Sequence, residues 1–295
     1  MSTPTLQGII AYPVTPFTAE DTVDLNVLSQ LIDQLIDSGA DAIAALGSAG
    51  EAAYLDAEEW QQVAEHTIQQ VGGRVPVVIG IAELTTKTAI DRARFAQLAG
   101  ADVVMISPLA YYSLTEQEIR QHFTSIAEAI DIPIMLYNNP ATCGVDMSPQ
   151  LMLSLVEQIS NITMIKESSG DIQRMHQIWS LSGGSVPFYN GCNYLALEAL
   201  NAGVSGWCTA APGLIGDQPK QLVNAVQSGD LSTARHLFYA QRELLTFIVK
   251  NGLASSVKAG LRMNGLNAGT ARKPLLELPT PAQATLKQLL DNLSA

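Results

Sequence analysis

The chain has 295 residues, of which 47% are hydrophobic and 15% are charged, a composition typical of globular proteins and not of disordered ones. Its 16 Lys and Arg residues against 28 Asp and Glu residues give a formal net charge of −12. That charge repels nucleic acid and anionic membrane surfaces, and no basic run offsets it, so we expect no nucleic-acid partner.

The N-terminal segment does not resemble a secretory signal, because residues 1–7 have no basic group and no long apolar run. No apolar run elsewhere approaches the length of a membrane span, so we expect no membrane partner. The three cysteines, Cys143, Cys192 and Cys208, are odd in number and far apart, which favours free thiols in a reducing compartment. We therefore expect a cytoplasmic protein.

Short β-rich runs alternate with amphipathic helical segments along most of the chain. Strands are predicted at 8–12, 41–46, 75–81, 102–107, 132–137, 162–166, 186–189 and 204–209. Helices are predicted between them at 25–37, 57–70, 86–98, 115–130, 149–159 and 172–181. From about residue 217 onward the pattern is helical only, and it includes the apolar runs 244–249 and 284–293.

Eight strands that alternate with helices predict parallel pairing, because each crossover between successive strands carries a helix. The count favours closure into an α/β fold of the (β/α)8 TIM barrel type with additional C-terminal helices. A doubly wound open sheet is the alternative, but its first strand would more naturally lead into a G-x-G-x-x-G turn, and residues 12–17 contain no glycine. We divide the chain into a barrel that carries the active site, residues 1–215, and a helical extension packed on it, residues 216–295.

Residues 161–170 form a short apolar strand that ends on a lysine and enters a polar turn. Of the seven lysines, only Lys166 caps such a strand. An ammonium group among apolar neighbours is destabilised relative to the neutral amine, and a neutral amine condenses with a ketone to a Schiff base. For this segment taken alone, the alternative is a surface lysine whose stem covers the strand end while its head stays in water.

Active groups of such a barrel lie at the carboxyl ends of its strands. Residues 47–51 follow strand two, and their two glycines around a serine can present N–H groups to an anion. Tyr137 ends strand five and Lys166 ends strand six. An anion loop, a tyrosine and a lone lysine on one rim suit a 2-oxo acid, although the loop by itself could be an ordinary turn and the tyrosine a solvated rim residue.

The histidines offer no metal site by their spacing. All four fall within helical patterns and none has a ligand partner at a suitable interval, so we expect them in solvent and expect no metal centre. They are His66, His122, His176 and His236.

Three motifs together resemble the dihydrodipicolinate synthase / N-acetylneuraminate lyase family over roughly residues 8–215. They are Gly-Ser-Ala-Gly-Glu at 47–51, Tyr-Asn-Asn-Pro at 137–140 and Ile-Lys-Glu-Ser-Ser-Gly at 165–170. The resemblance implies a (β/α)8 barrel with C-terminal helices, a homo-oligomer (dimer or tetramer), and class I aldolase chemistry on pyruvate or a related 2-oxo acid. It implies neither a cofactor nor a metal.

The resemblance also implies roles for single residues. Lys166 would form the Schiff base and Tyr137 would move protons, while Ser48 would link two tyrosines and touch the substrate carboxylate. Tyr111 would be lent to the site of the neighbouring subunit. The substrate-binding positions implied are Gly47, Ala49, Gly50, Thr142, Gly191 and Cys208, the last through its backbone.

Two positions depart from the family pattern. The family usually has a second hydroxyl residue where Ala49 stands, and the loss of that donor removes a charge-assisted hydrogen bond worth about 1.5–3 kcal/mol. In the synthase branch an arginine that binds the aldehyde's carboxylate stands where this chain has Thr142. A threonine cannot form that bidentate contact, which counts against the synthase of the lysine pathway.

Three functions remain open from the sequence. The first is aldol cleavage or condensation through an imine at Lys166, with a sugar-like aldehyde suited to Thr142. The second is dehydration or deamination of a 2-oxo-3-deoxy acid or a cyclic imino acid by the same imine. The third is a barrel that binds a small ligand without catalysis, which the presence of both the lysine and Tyr137 disfavours.

Overall fold

The computed structural model describes residues 6–294, so residues 1–5, part of the segment expected to lack a secretion signal, lie outside it. Eight parallel strands close into a barrel in the order β1 to β8, and the predicted (β/α)8 fold is confirmed. The strands are β1 (Gly8–Ala11), β2 (Ala42–Ala45), β3 (Val77–Glu83), β4 (Val103–Pro108), β5 (Ile134–Asn138), β6 (Ile162–Glu167), β7 (Phe188–Asn190) and β8 (Gly206–Thr209).

Helices surround the barrel and continue beyond its last strand. Those within the barrel region are α1 (Leu25–Asp37), α2 (Ala57–Val71), α3 (Thr86–Ala99), α4 (Glu116–Ala127), α5 (Pro140–Cys143), α6 (Pro149–Gln158), α7 (Ile172–Ser182) and α8 (Ala196–Asn201). Those after it are α9 (Pro212–Ile215), α10 (Gln218–Gln227), α11 (Leu231–Lys250), α12 (Leu253–Met263) and α13 (Thr280–Ser294).

All the predicted strands and helices are present, with their ends moved by up to three residues. The ends move because hydrogen bonding to neighbouring strands and caps sets them, whereas the sequence marks only the apolar periodicity. Every residue of helix α12 from Ala254 to Leu261 is buried, including the polar ones. It packs against the turn that follows β2. The division of the chain at residue 216 stays a prediction.

A repeated tripeptide closes the amino end of the barrel. Gly-Ala-Asp ends α1 and leads into β2, and it ends α3 and leads into β4. Asp41 accepts a hydrogen bond from the Ile9 N–H at 2.7 Å, and Asp102 accepts one from the Val77 N–H at 2.8 Å. Each carboxylate thereby satisfies an N–H group at the start of the neighbouring strand, so the amino end has polar partners of its own.

The strands are buried on both faces, as expected for parallel strands between a filled barrel interior and a ring of helices. Trp207 of β8 and Phe188 of β7 are among the largest fully buried side chains. Each fully buried large apolar side chain contributes about 1.5–3 kcal/mol to the free energy of unfolding. This packing gives a rigid frame for the residues at the strand ends.

The predicted solvent exposure of the histidines is wrong for two of them. His66 hydrogen-bonds to Ser29 Oγ at 2.7 Å and His122 to Thr86 Oγ1 at 2.9 Å, and both rings are partly buried between helices. The cysteines are free thiols, as predicted. Among residues 6–294, no helix has the length and apolar character required to cross a bilayer.

Candidate active site

Lys166 lies at the carboxyl end of β6, inside the mouth of the barrel. The sheet register pairs it with Tyr137 of β5 on one side and with Tyr189 of β7 on the other. The residue is only 5% exposed, and its Nζ lies 3.8 Å from the centroid of the Tyr137 ring. The alternative of a surface lysine with its head in bulk water is therefore wrong.

Aromatic faces and sulfur surround the amine of Lys166. Its Nζ lies 4.1 Å from the centroid of the Tyr12 ring and 3.7 Å from Met105 Sδ. Burial raises the pKa of Tyr12 well above its ordinary value, so this phenol remains neutral and donates a hydrogen bond to Met105 Sδ at 3.1 Å. No carboxylate among residues 6–294 forms an ion pair with Lys166, so its nitrogen has no strong acceptor.

A short chain of polar groups begins at the Tyr137 hydroxyl. Asn139 Nδ2 donates a hydrogen bond to Tyr137 Oη at 2.8 Å, and Ser48 Oγ lies 3.5 Å from the same oxygen. Because the asparagine amide is the donor, the tyrosine's own proton is available to Ser48 or to a ligand. The arrangement can therefore deliver a proton into the mouth of the barrel.

The turn after β2 presents N–H groups to the same region. Ser48–Gly50 is a 3-10 turn in which the Gly50 N–H donates to the Gly47 carbonyl at 3.0 Å. The first N–H groups of such a turn, those of Ser48 and Ala49, have no partner within it. A Cβ on Gly47 would lie 2.9 Å from the Tyr12 ring, so glycine is required at this close approach.

Two non-glycine residues with left-handed backbone conformation stand on either side of this turn. Leu46 has a φ of 61° and Glu51 a φ of 54°. Such conformations cost on the order of 1–3 kcal/mol each and persist only where the surroundings hold them. On the far side of the turn, Thr15 Oγ1 donates to the Gly50 carbonyl at 2.6 Å. The conformation of the turn is therefore fixed by several independent contacts.

A cavity of about 560 Å³ opens beside these groups. Its walls come from the carboxyl ends of β2 to β5 and include Ser48, Met105, Tyr137 and Thr142. Among the lining residues, all of which belong to the described part of the chain, Glu51 alone carries a formal charge. The cavity thus has hydroxyl groups and apolar surface, but no arginine or lysine in its wall.

A sequence profile of the dihydrodipicolinate synthetase family matches residues 5–293. The chain belongs to this family. A 4-hydroxy-tetrahydrodipicolinate synthase of Pelobacter propionicus is 36% identical, with 95% of this chain and 96% of the relative covered. The enzyme of the same name from Thermoanaerobacter pseudethanolicus is 32% identical, with 97% and 96% covered.

Solved structures agree with this assignment to the dihydrodipicolinate synthetase family. A provisionally assigned dihydrodipicolinate synthetase from Pseudomonas aeruginosa superposes with a TM-score of 0.96 at 50% identity, covering 97% of this chain and 99% of that one. A prophage protein of the family from E. coli K12, solved with pyruvate, has a TM-score of 0.93 at 28% identity, with 99% of each chain covered. The chain is a class I aldolase-type lyase of this family.

Thr142, which stands where the resemblance implies an arginine in the synthase branch, lies in the short helix α5. Thr142 is exposed to the cavity, and its hydroxyl donates to the Asn139 carbonyl at 3.4 Å. Next to it, Cys143 is buried, with its thiol 2.6 Å from Ser107 Oγ. This part of the cavity wall therefore carries no positive charge.

Tyr111 does not reach the active site of its own subunit. Its side chain is 84% exposed and its ring lies edge-to-face against Tyr112, with ring centroids 5.0 Å apart. Within the described part of the chain, the tyrosine that hydrogen-bonds to the Ser48 hydroxyl is Tyr137. The role expected for Tyr111 in a neighbouring subunit stays a prediction.

Gly191 and Cys208 lie close to Lys166, and their expected place in the lining of the substrate pocket stays a prediction. A Cβ on Gly191 would lie 1.8 Å from Ser168 Oγ and 2.8 Å from Lys166 Cε, so a side chain there would displace the lysine. Cys208 of β8 is buried, and burial raises the pKa of its thiol despite the opposing effect of Lys166. Its thiol remains neutral and fills space beneath the amine.

Three residues beside Lys166 were not predicted from the sequence. Ser168 has a buried Oγ without a hydrogen-bond partner, close to Lys166. Tyr12, just after β1, and Met105, within β4, contact the lysine from positions far along the chain from it. Tyr12 ends the first predicted strand, so the strand-end rule could have found it; Met105 is internal to β4 and only the packing identifies it.

Proposed function

We propose that Lys166 Nζ attacks the ketone carbon of pyruvate or a related 2-oxo acid and forms a Schiff base. The observation that carries this proposal is the burial of the amine against Tyr137 and Met105, both of which line the cavity. Addition to the carbonyl gives a carbinolamine, and loss of one water gives the imine. Protonated on nitrogen, the imine withdraws electrons from the adjacent carbon, so the next C–C bond can break or form.

Tyr137 is the proposed general acid and base. Its Oη accepts a hydrogen bond from Asn139, which leaves its proton for the substrate. In cleavage it would remove the proton of the β-hydroxyl as the C–C bond breaks, and in condensation it would return that proton to the aldehyde oxygen. Ser48, 3.5 Å away, would carry the proton onward.

The turn Ser48–Gly50 is the proposed seat of the substrate carboxylate. Its free N–H groups and the Ser48 hydroxyl can donate to an anion, while Ala49 supplies no side-chain donor. The loss of one hydroxyl is expected to weaken binding of the 2-oxo acid and not to abolish it.

An uncharged, hydroxylated aldehyde is the proposed second substrate. The cavity wall has no cation to pair with a carboxylate, whereas the Thr142 hydroxyl offers a hydrogen bond to a hydroxyl group. A second candidate is the reaction of 4-hydroxy-tetrahydrodipicolinate synthase, the name of the curated relatives. Sequence identities of 30–36% favour this reaction, whereas Thr142 in place of an arginine argues against it.

Trapping with borohydride tests the covalent step. The protein is incubated with pyruvate and borohydride and then weighed by mass spectrometry; one reduced pyruvate adduct on Lys166 is expected, and none in Lys166→Ala. A panel of 2-oxo acids assayed for C–C cleavage, loss of water and loss of ammonia then decides the reaction. Loss of water or ammonia without aldehyde formation would replace the aldolase proposal by the dehydratase or deaminase alternative.

A homo-oligomer in the cytoplasm is the proposed working form. The exposed tyrosine pair Tyr111 and Tyr112 supports an interface, because large aromatic groups are enriched at such surfaces. If Tyr111 completes a neighbour's site, mixing the inactive Tyr111→Phe and Lys166→Ala variants should restore activity, since one site of a mixed pair is intact. Parent-like activity of Tyr111→Phe alone would contradict this role.

A further inference from the structure

A buried acid stands at the place proposed for the substrate's negative charge. Glu51 directly follows the turn Ser48–Gly50, lines the cavity, and is only 2% exposed. Two negative charges close together in a medium of low polarity repel each other strongly. Unless another group compensates, Glu51 would oppose the binding of a 2-oxo acid.

A lysine from the C-terminal helices lies against this acid. Lys258 of α12 places Nζ 2.6 Å from Glu51 Oε1, and both side chains are 1% exposed. The same ammonium donates to the Thr270 carbonyl at 2.9 Å and lies 4.0 Å above the Phe17 ring. Burial lowers the pKa of Lys258, and the charge of Glu51 opposes that change.

The other charges around Glu51 already have partners. Arg272 donates its backbone N–H to Glu51 Oε2 at 2.7 Å, but its guanidinium binds both carboxylate oxygens of Glu59 and also contacts Asp21. Its charge is therefore balanced elsewhere. Within the described part of the chain, Lys258 is the cation that faces Glu51 directly.

We propose that Lys258 is a positioning residue whose charge cancels that of Glu51 and so allows the turn Ser48–Gly50 to accept the carboxylate of the substrate. The inference rests on the proposed function, since it concerns the same anion. It gives the C-terminal helices a part in catalysis, because α12 supplies a charge that the barrel strands lack. Glu51 in turn holds its own left-handed backbone in place through this pair.

Two ketones of similar size, one charged and one neutral, separate this role from a structural one. Pyruvate carries a carboxylate and pyruvamide a neutral amide, so each is trapped with borohydride over a range of concentrations, and the half-saturating concentration is measured by mass spectrometry. In Lys258→Met, the value for pyruvate should rise about tenfold or more, while that for pyruvamide should stay near the parent's. Loss of packing alone would raise both values alike.

The companion variants make the test independent of folding. Removing one member of a buried pair is destabilising, whereas replacing both by neutral groups is often tolerated. The double variant Glu51→Gln, Lys258→Met should therefore trap pyruvate near the parent's half-saturating concentration, because neither charge remains and glutamine can still accept from the Arg272 N–H. Circular dichroism melting curves establish that each variant is folded.

Lys220→Met is the matched control, since Lys220 pairs with Asp41 at the opposite end of β2. It should change trapping of neither ketone. If the parent protein traps no pyruvate, the proposed function fails. If the parent traps pyruvate but Lys258→Met shifts neither half-saturating concentration or shifts both equally, the inference is overturned. If Lys258→Met does not fold, the double variant decides: a tenfold higher half-saturating concentration for pyruvate, with that for pyruvamide unchanged, also overturns the inference.

Discussion

The two ends of the barrel differ in how far their polar side chains have hydrogen-bond partners within the chain. At the amino end, Asp41 accepts hydrogen bonds from the Ile9 N–H and from Lys220 Nζ, and the hydroxyl of Tyr189 donates to the Leu6 carbonyl at 2.8 Å. Each of these polar groups has a partner within the chain. They tie the starts of β1 and β2 to other parts of the chain and leave little for a ligand to bind.

At the carboxyl end, some polar groups have partners, but those around Lys166 remain without them. Among residues 6–294, Lys166 Nζ contacts ring faces and sulfur and forms no ion pair, and Ser168 Oγ has no hydrogen-bond partner. The Ser48 hydroxyl is exposed beside Tyr137. A buried polar group without a partner is unfavourable unless something else satisfies it. The contrast therefore separates groups that hold the barrel closed from groups that await a substrate.

Replacing one lysine at each end tests this contrast most strongly. Lys166→Ala should lower kcat/KM by about 10⁴-fold or more, the order of magnitude lost when a covalent nucleophile is removed. Lys220→Ala should keep parent-like kcat/KM, because its ammonium serves only Asp41. Steady-state kinetics on both variants, with melting temperatures alongside, provide the comparison. Near-normal turnover by Lys166→Ala would exclude the covalent mechanism.

Removing the hydroxyl of one tyrosine at each end, Tyr137 and Tyr189, tests the same contrast. Tyr137→Phe should reduce kcat by about 10²- to 10⁴-fold, as expected for loss of a general acid–base group. Its fold should be unchanged, since Oη contacts only Asn139 and Ser48. The measurement is kcat at saturating substrate. An unchanged kcat would transfer the proton step to another group.

A gain of function tests the part of the cavity wall around Thr142, which has no positive charge. Thr142→Arg should raise kcat/KM about tenfold for an aldehyde with a carboxylate, such as succinic semialdehyde, because a guanidinium can pair with it. Glyceraldehyde, which has no charge, is the matched substrate and should show no gain. Equal responses to the two aldehydes would mean that residue 142 does not face the second substrate.

The corresponding change at the amino end should alter stability and not activity. Tyr189→Phe removes the donor to the buried Leu6 carbonyl, which should lower the free energy of unfolding by about 1–2 kcal/mol. Urea denaturation gives the loss, and kcat/KM should match the parent's. A large fall in kcat/KM with intact stability would contradict the separation of the two ends.

The smallest expected effect lies outside both ends, at His122 on α4. Burial lowers its pKa in the folded state, so below about pH 6.5 the unfolded chain binds a proton more readily. Stability should therefore fall as the pH drops through that value, and less so in His122→Gln. Urea midpoints at about pH 7.5 and about pH 5.5 measure the difference. A parallel fall in both proteins would place the titration elsewhere.

The sequence by itself determined the barrel and most of its rim. Unbroken apolar runs separated by amphipathic helices specify parallel strands that are buried on both faces, and the carboxyl ends of such strands must meet. The sequence therefore predicts that Lys166, Tyr137 and the turn at Ser48 lie at the same end of the barrel. The partial burial of His66 and His122 could not be predicted from the sequence, because helix periodicity does not specify how closely neighbouring helices approach.

Only the tertiary structure decided which polar groups have partners. Glu51 meets Lys258 through the packing of α12 on the turn after β2, and no spacing in the chain connects the two residues. No sequence spacing predicts the contact between Met105 and Lys166 or the unpartnered hydroxyl of Ser168 either. Periodicity follows from the local geometry of the backbone, whereas charge balance and hydrogen bonding depend on groups that only the closed barrel brings together.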